Sequence, residues 1–171
     1  MAEPLTAREF FTAFPQVLTD PYIPEIHGDL DDMTADEWNA AFPVGTQVVA
    51  YPLTRDDAPL YTYTRSAAWT LGHGAAVVKV EGYAGGILLS HVDPAPDGWE
   101  LTRESLNRID VAVDRDGVFA KGYYQPVDGR TAVVGLRIGE KPGHVVAYYG
   151  DRVVRRPDGT YTVHAAGGEG R

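Results

Sequence analysis

Short runs of alternating apolar and polar residues fill the sequence from Gly45 onward, and glycine- and proline-rich turns separate them. Successive side chains of a β-strand point to opposite faces, so a period of two is typical of strands with one buried face. This pattern predicts antiparallel sheets and argues against a helical core. In the stretch 45–97 the predicted strands cover residues 47–51, 60–65, 68–71, 76–80 and 87–92.

Five short strands within about 50 residues, joined by glycine turns, are typical of a small, strongly bent barrel of the SH3 type. The stretch 98–166 continues in the same style. A helix capped by Thr102 is predicted at about 103–109, with strands at 109–113, 118–124, 131–138 and 144–149 and a closing hairpin at 152–164. Asp158 and Gly159 supply the backbone geometry that the tight turn of this hairpin requires.

Two capping boxes mark the N-terminal segment. Thr6 is followed three residues later by Glu9, and Thr34 by Glu37, so each pair can satisfy two backbone N–H groups at the start of a helix. We expect these helices to be the longest helical pieces of the chain, the first at about residues 7–14. Their apolar faces are predicted to pack on a β core.

Together these patterns predict an α+β, mainly antiparallel β fold. Short N-terminal helices lie on an SH3-like barrel, and a second small antiparallel β unit follows. The predicted divisions are an acidic helical segment at 1–44, the barrel at 45–97, the second unit at 98–166 and a flexible tail at 167–171. Trp69 is expected to be a buried core anchor of the barrel.

The absence of cysteine excludes disulfides, thiolate metal sites and a cysteine nucleophile. The first residues, MAEPLTAREFF, lack the basic stretch of a secretory signal. No apolar run approaches the roughly 20 residues that a membrane-spanning helix needs. These features predict a cytoplasmic protein that does not associate with membranes.

The net charge of −9 is concentrated at one end, because residues 1–44 contain nine acidic residues and one basic residue. Such a segment serves as a solvated surface, or it docks on a basic partner or mimics nucleic-acid phosphate. Direct nucleic-acid binding is disfavoured, since no basic stripe offsets this repulsion.

No catalytic constellation is evident in the sequence. The five histidines are too far apart for a paired metal-ligand motif such as HExxH, and no GxSxG motif marks a nucleophile. The glycine-rich stretch 82–86 lacks a following lysine and leads into a strand, so it does not make a phosphate site. We therefore predict no catalytic residue, no metal ligand and no cofactor, although a site assembled from distant residues stays open.

Two groups of residues are candidates for binding. The first combines aromatic side chains of the predicted barrel with neighbouring polar ones, and consists of Tyr51, Tyr61, Tyr63, Arg65, Trp69 and His73. Aromatic patches on such barrels form peptide or small-ligand grooves, and the alternative is that these rings are core or cross-strand packing. The second consists of Arg152, Arg155 and Arg156, near Tyr148, Tyr149 and Tyr161, and either holds an anionic ligand or solvates the hairpin.

Two stretches of the sequence carry a resemblance to known proteins. The first includes residues 43–46, 64–66, 69–72 and 86–92 (PVGT, TRS, WTLG and GILLSHV). It resembles uncharacterised small proteins of high-GC actinobacteria and their phages. The second is GDRVVR at 150–155 with the turn that follows it, which is similar to a closing hairpin of small phage-encoded proteins. The resemblance implies a phage or prophage lineage and a β fold, and it implies no catalytic or binding residue.

The sequence thus predicts a non-enzymatic protein–protein interaction module, phage- or prophage-encoded, that acts in the host cytoplasm on a protein partner, which is basic if the acidic segment docks on it. The first alternative is a small-molecule-binding protein that sequesters an anionic, nucleotide-like signal. An unrecognised enzyme is the third possibility.

Overall fold

The computed structural model describes residues 32–167, which fall into two compact units that divide between Asp97 and Gly98. Within these residues the strands form four three-stranded antiparallel sheets, and none of the four closes on itself. An α+β, mainly antiparallel β fold is therefore confirmed, whereas the SH3-like barrel stays a prediction. The helix predicted at 7–14 and the tail beyond residue 167 lie outside the described residues.

The described part of the first unit, residues 32–97, has one α-helix and six strands. Its elements are α1 (Ala35–Ala41), β1 (Gln47–Ala50), β2 (Leu60–Tyr63), β3 (Trp69–Thr70), β4 (Ala76–Lys79), β5 (Gly86–Leu88) and β6 (Val92–Pro94). One sheet has the order β2-β1-β6 and the other β3-β4-β5. An isolated bridge between Thr64 and Val80 connects the end of β2 to the end of β4.

The capping box predicted at Thr34 is confirmed at the start of α1. The Thr34 hydroxyl accepts from the backbone N–H of Glu37 at 3.2 Å, and the Glu37 carboxylate accepts from the backbone N–H of Thr34 at 2.9 Å. The helix ends at Phe42, before Pro43. Trp38 and Phe42 lie 4.7 Å apart between ring centroids, and both belong to the hydrophobic core of this unit.

That core is built from every second residue of the strands. Val48, Val78 and Val80 are fully buried, and they lie in the same cluster as Trp38. Thr62 faces the same interior, where its hydroxyl donates to the carbonyl of Glu81 at 2.7 Å. A polar residue is tolerated there because its hydrogen bond is satisfied.

The strand predicted at 87–92 is two strands in the structure. β5 pairs with β4, a 3-10 turn at Leu89–His91 follows, and β6 pairs with β1 in the other sheet. The chain changes its partner strand within six residues. A period of two cannot reveal this change, because both strands alternate in the same way.

From residue 98 to residue 167, the described part of the second unit has one α-helix and six strands. Its elements are β7 (Trp99–Glu100), α2 (Leu106–Arg115), β8 (Ala120–Val127), β9 (Arg130–Ile138), β10 (Val145–Tyr148), β11 (Arg152–Arg155) and β12 (Tyr161–His164). Its sheets have the orders β10-β9-β8 and β12-β11-β7. The closing hairpin is confirmed, with Arg155 opposite Tyr161 and a positive φ of 83° at Gly159.

The strand predicted at 109–113 is wrong, because these residues lie in α2. Leu106, Ile109 and Val113 are buried at the spacing of one helix face, whereas Val111 is 64% exposed. Among the described residues α2 is the longest helix, with 10 residues against 7 for α1. Within residues 32–167, the expectation that the N-terminal helices are the longest is therefore also wrong. The residues DRDG at 114–117 are a hairpin turn signal in the sequence, but in the structure they are the end of this helix.

Trp69 is not the core anchor that the sequence predicts. Trp38 and Trp99 are each 1% exposed, whereas Trp69 is only partly buried. The register explains the difference, because Trp69 pairs with Val77 on the face of its sheet opposite to Val78. Val78 is the residue that enters the core.

Replacing Trp38 with alanine should therefore lower the free energy of unfolding by about 3–5 kcal/mol, through lost transfer energy and a cavity. Trp69→Ala should cost only about 1–2 kcal/mol, because less of its surface is buried. Urea unfolding followed by circular dichroism would measure both values. Equal losses for the two variants would contradict this assignment of the core.

Candidate binding surfaces

Three of the candidate tyrosines lie on one face of the sheet β2-β1-β6. Thr62 and Thr64 are buried, so the alternate residues Tyr61 and Tyr63 point outward and are partly exposed. Tyr61 lies opposite Val49 in register. Tyr51 lies two residues after Val49, so it points to the same face, and it is also partly exposed.

At the Tyr51 end of this face, the Arg55 guanidinium is held by three neighbouring groups. The Arg55 guanidinium lies 5.0 Å from the centroid of the Tyr51 ring and forms an ion pair with Asp93 at 2.6 Å. Its Nε also donates to the carbonyl of Ser90 at 2.8 Å. The ion pair is substantially exposed and therefore contributes at most about 1 kcal/mol to stability.

The outward surface continues from Tyr63 to Trp69 across the bridge between the two sheets. The backbone N–H of Arg65 donates to the carbonyl of Lys79 at 2.9 Å, which brings β2 alongside β4. Lys79 pairs with Gly86 and points away from the core, and its Nζ lies 5.7 Å from the centroid of the Trp69 ring. We call this surface, formed by Tyr61, Tyr63, Lys79 and Trp69, the aromatic surface.

A glycine makes room for the indole on this surface. A Cβ at Gly86 would lie 3.0 Å from Cη2 of Trp69 and 3.2 Å from Cγ2 of Val77. The ring therefore lies across the backbone of β5 and covers Val77, which is 3% exposed. Upstream of Trp69, the side-chain amide of Asn39 both donates to and accepts from the backbone of Ala68, at 2.9 and 2.7 Å. Sequence reasoning missed Asn39, whose partner is far away along the chain.

Arg65 and His73 have different positions from the aromatic rings. The Arg65 guanidinium donates to the carbonyls of Val80, Tyr83 and Ala84, at distances from 2.9 to 3.3 Å. It therefore closes the turn that follows β4 and is already hydrogen-bonded. His73 is exposed at the tip of the turn between β3 and β4.

The second candidate group does not converge. Arg152 and Arg155 are three positions apart on β11, so their side chains leave opposite faces of the strand. Arg152 donates to the carbonyl of Gly98 at 3.3 Å, and Arg156 is exposed beside the hairpin turn. These three arginines therefore do not form a shared anion site in this conformation.

Arg155 forms a largely buried ion pair in the second unit. Its Nε donates to Asp116 Oδ2 at 2.6 Å, and the two side chains are 16% and 6% exposed. The Tyr161 hydroxyl donates to the same carboxylate oxygen at 2.9 Å. The cluster attaches the closing hairpin to the end of α2. Asp116 could not be found from the sequence, because it lies 39 positions from Arg155.

The described residues offer no assembled metal site. Between residues 32 and 167 no three His, Asp or Glu side chains are grouped so as to hold a metal ion. Asp110 on α2 is a partly buried carboxylate. Burial raises its pKa, the Asp114 carboxylate raises it further, and its Oδ1 has no hydrogen-bond partner among the described residues.

Comparison with known proteins does not identify a relative. No protein-family model matches the chain, and no curated protein and no solved structure matches it significantly. In the part of the chain that the structure describes, no helix is long and apolar enough to cross a membrane.

Replacing Asp116 with alanine should destabilise the protein by about 3–5 kcal/mol, because it leaves the Arg155 guanidinium buried without its carboxylate. Arg152→Ala and Arg156→Ala remove the same kind of charge from exposed positions and should each change stability by less than about 0.5 kcal/mol. Urea unfolding of the three variants would measure this. A loss at Arg152 or Arg156 as large as that at Asp116 would show that the exposed arginines are structural.

Asp110→Asn should stabilise the protein at neutral pH. The pKa of Asp110 is raised in the folded state, because folding disfavours its ionised form. Ionisation of Asp110 therefore lowers the free energy of unfolding, and this penalty is fully present only above the folded pKa. As the pH falls below about 3.9, the usual value for aspartate, both folded and unfolded forms are protonated and the penalty disappears. Thermal unfolding of wild type and variant across this range would test it. A gain that does not shrink with falling pH would contradict the assignment.

Proposed function

We propose that this chain is a non-enzymatic protein–protein interaction module and that the aromatic surface of its first unit contacts the partner. The observation that carries the proposal is that Tyr61, Tyr63 and Trp69 stay partly exposed on one outward surface, while other residues fill the core. Tyrosine and tryptophan are enriched at protein interfaces, where they supply much of the binding energy.

The same proposal assigns the first unit to the SH3-like barrels. Three features support it: β1 lies between β2 and β6, the sheet β3-β4-β5 follows, and a 3-10 turn precedes the last strand. This order of connections is typical of that barrel. Barrels of this type bind extended peptides on surfaces lined with aromatic side chains.

The partner is proposed to present lysine or arginine side chains. Residues 1–44 carry a net charge of −8, which attracts a basic protein over a distance set by the ionic strength. The aromatic rings accept cations from within the chain, Arg55 at Tyr51 and Lys79 at Trp69. As part of this proposal, the protein is phage- or prophage-encoded and acts in the cytoplasm of an actinobacterial host.

A synthetic peptide in which lysine and arginine alternate with apolar residues would test the partner chemistry. Tyr61→Ala with Tyr63→Ala should weaken binding of this peptide at least about tenfold, because two aromatic contacts are lost. Val111→Ala, at a 64% exposed helix position in the second unit, is the matched control and should bind like wild type. Fluorescence anisotropy would measure the dissociation constants. Equal binding by wild type and the tyrosine variant would overturn the proposed surface.

The acidic segment is tested by kinetics on the same peptide. Asp29, Asp31, Asp32 and Asp36 are changed to Asn and Glu37 to Gln, which retains a capping side chain at position 37. Association should slow more than dissociation accelerates, and the difference should fade at high salt, because peripheral charges act mainly by steering. Stopped-flow measurements at two salt concentrations would resolve this. Unchanged association rates would show that the segment serves only as a solvated surface.

A further inference from the structure

One face of the sheet β10-β9-β8 is not used by the core of the second unit. Ala120, Leu136, Ile138 and Ala147 are buried, and α2 packs against β8 and β9. Because side chains alternate, the intervening residues point to the opposite, outward face. Contacts between side chains confirm this placement, since the rings of Tyr123 and Tyr148 lie 6.1 Å apart, edge to face.

The outward face combines cationic and aromatic side chains, and we call it the cationic–aromatic face. Its charged and aromatic members are Phe119, Lys121, Tyr123, Arg137, His144 and Tyr148, and the apolar Val146 lies among them, opposite Arg137. All charged side chains at these outward positions are basic, and the nearest acids along these strands, Asp128 and Glu140, lie in the turns between them. This grouping stands out in a chain with a net charge of −9.

Arg137 is held in a geometry suited to an anion. Its guanidinium lies 5.1 Å from the centroid of the Phe119 ring, and stacking of this kind orients the planar fork of donors. Among the described residues no carboxylate pairs with Arg137, and its Nε has no acceptor. Lys121 lies directly opposite Arg137 in register and is exposed, also with no ion pair in the described part of the chain. Two cations therefore lie side by side, and none of residues 32–167 supplies a counter-charge to them.

Aromatic rings flank this pair of cations. Phe119 is 37% exposed on one side, and Tyr123 follows Lys121 by two residues, about 6.5 Å along the strand. Gln125 donates to the Tyr148 hydroxyl at 3.4 Å, which holds that ring beside Tyr123. Nucleobases stack on such rings, and phosphates pair with adjacent arginine and lysine side chains.

We infer that the cationic–aromatic face binds a phosphorylated nucleoside, either as a free nucleotide or within a single strand. Lys121 and Arg137 receive the phosphate, and Phe119, Tyr123 and Tyr148 provide the surface for the base. A duplex does not fit this chemistry, because its bases are stacked on each other. The net charge of −9 argues against nucleic-acid binding, but residues 1–44 account for −8 of it, and no acidic residue lies on β8, β9 or β10.

The experiment is a fluorescence-anisotropy titration of the full chain with a labelled thymidine single strand of about 12 nucleotides, at about 50 mM salt. Binding is expected, with unlabelled single strand as an effective competitor and polyglutamate, an anion without bases, as a poor one. Adenosine monophosphate is titrated in parallel. Competition by the mononucleotide assigns the face to free nucleotides, and competition only by the oligonucleotide assigns it to single strands.

Variants localise the binding. Lys121→Gln with Arg137→Gln should weaken binding at least about tenfold, and Tyr123→Leu with Tyr148→Leu should weaken it while leaving its salt dependence unchanged. Arg156→Gln is the matched control, since it removes a basic side chain from an exposed position elsewhere in the same unit. Circular dichroism establishes that each variant is folded. The inference is overturned if neither the single strand nor adenosine monophosphate binds, if polyglutamate competes equally, or if Arg156→Gln loses as much affinity as the variant with Lys121→Gln and Arg137→Gln.

Discussion

Burial of every second side chain is the constraint on which both units depend. In the first unit Val48, Val78 and Val80 fill the core with Trp38, and in the second Leu136 and Ile138 are buried in the same alternating way. Because the period of a strand is two, the choice of inward residues also decides which residues point outward. The partial exposure of Tyr61 and Tyr63 is therefore a consequence of packing Thr62 inward. Both proposed binding surfaces arise in this way, as the unburied faces of sheets whose other faces are required for stability.

The environment of each arginine decides whether it is available to a ligand. Arg65 donates to three carbonyls of a turn, Arg155 is neutralised by Asp116, and Arg137 stacks on Phe119 without a carboxylate among the described residues. The sequence alone does not distinguish the environments of these three arginines. Arg65 and Arg155 were both candidate binding residues in the sequence, and Arg137 was not. A guanidinium that is already paired stabilises the fold, whereas one that is oriented but unpaired retains its electrostatic attraction for an anion.

Much of the candidate surface in the first unit followed from local patterning. Tyr61 and Tyr63 are two residues apart, so the period of a strand predicts that they share one face, and they do in the structure. The orientation of Trp69 was missed, because Val77 and Val78 are adjacent apolar residues and the sequence does not say which one enters the core. Phe119, Lys121 and Arg137 were missed as a group, because a neighbouring strand brings them together.

Local signals determined the features that depend on a few adjacent residues. The capping box of Thr34 and Glu37, the turn at Gly159 and most strand positions are of this kind, since their hydrogen bonds and backbone angles lie within one turn or hairpin. Only the tertiary structure decided that β6 pairs with β1 and that residues 109–113 are helical. It also selected Asp116 as the partner of Arg155. These outcomes depend on contacts between residues far apart in the chain, and the free energy of burying them together outweighs weak local preferences.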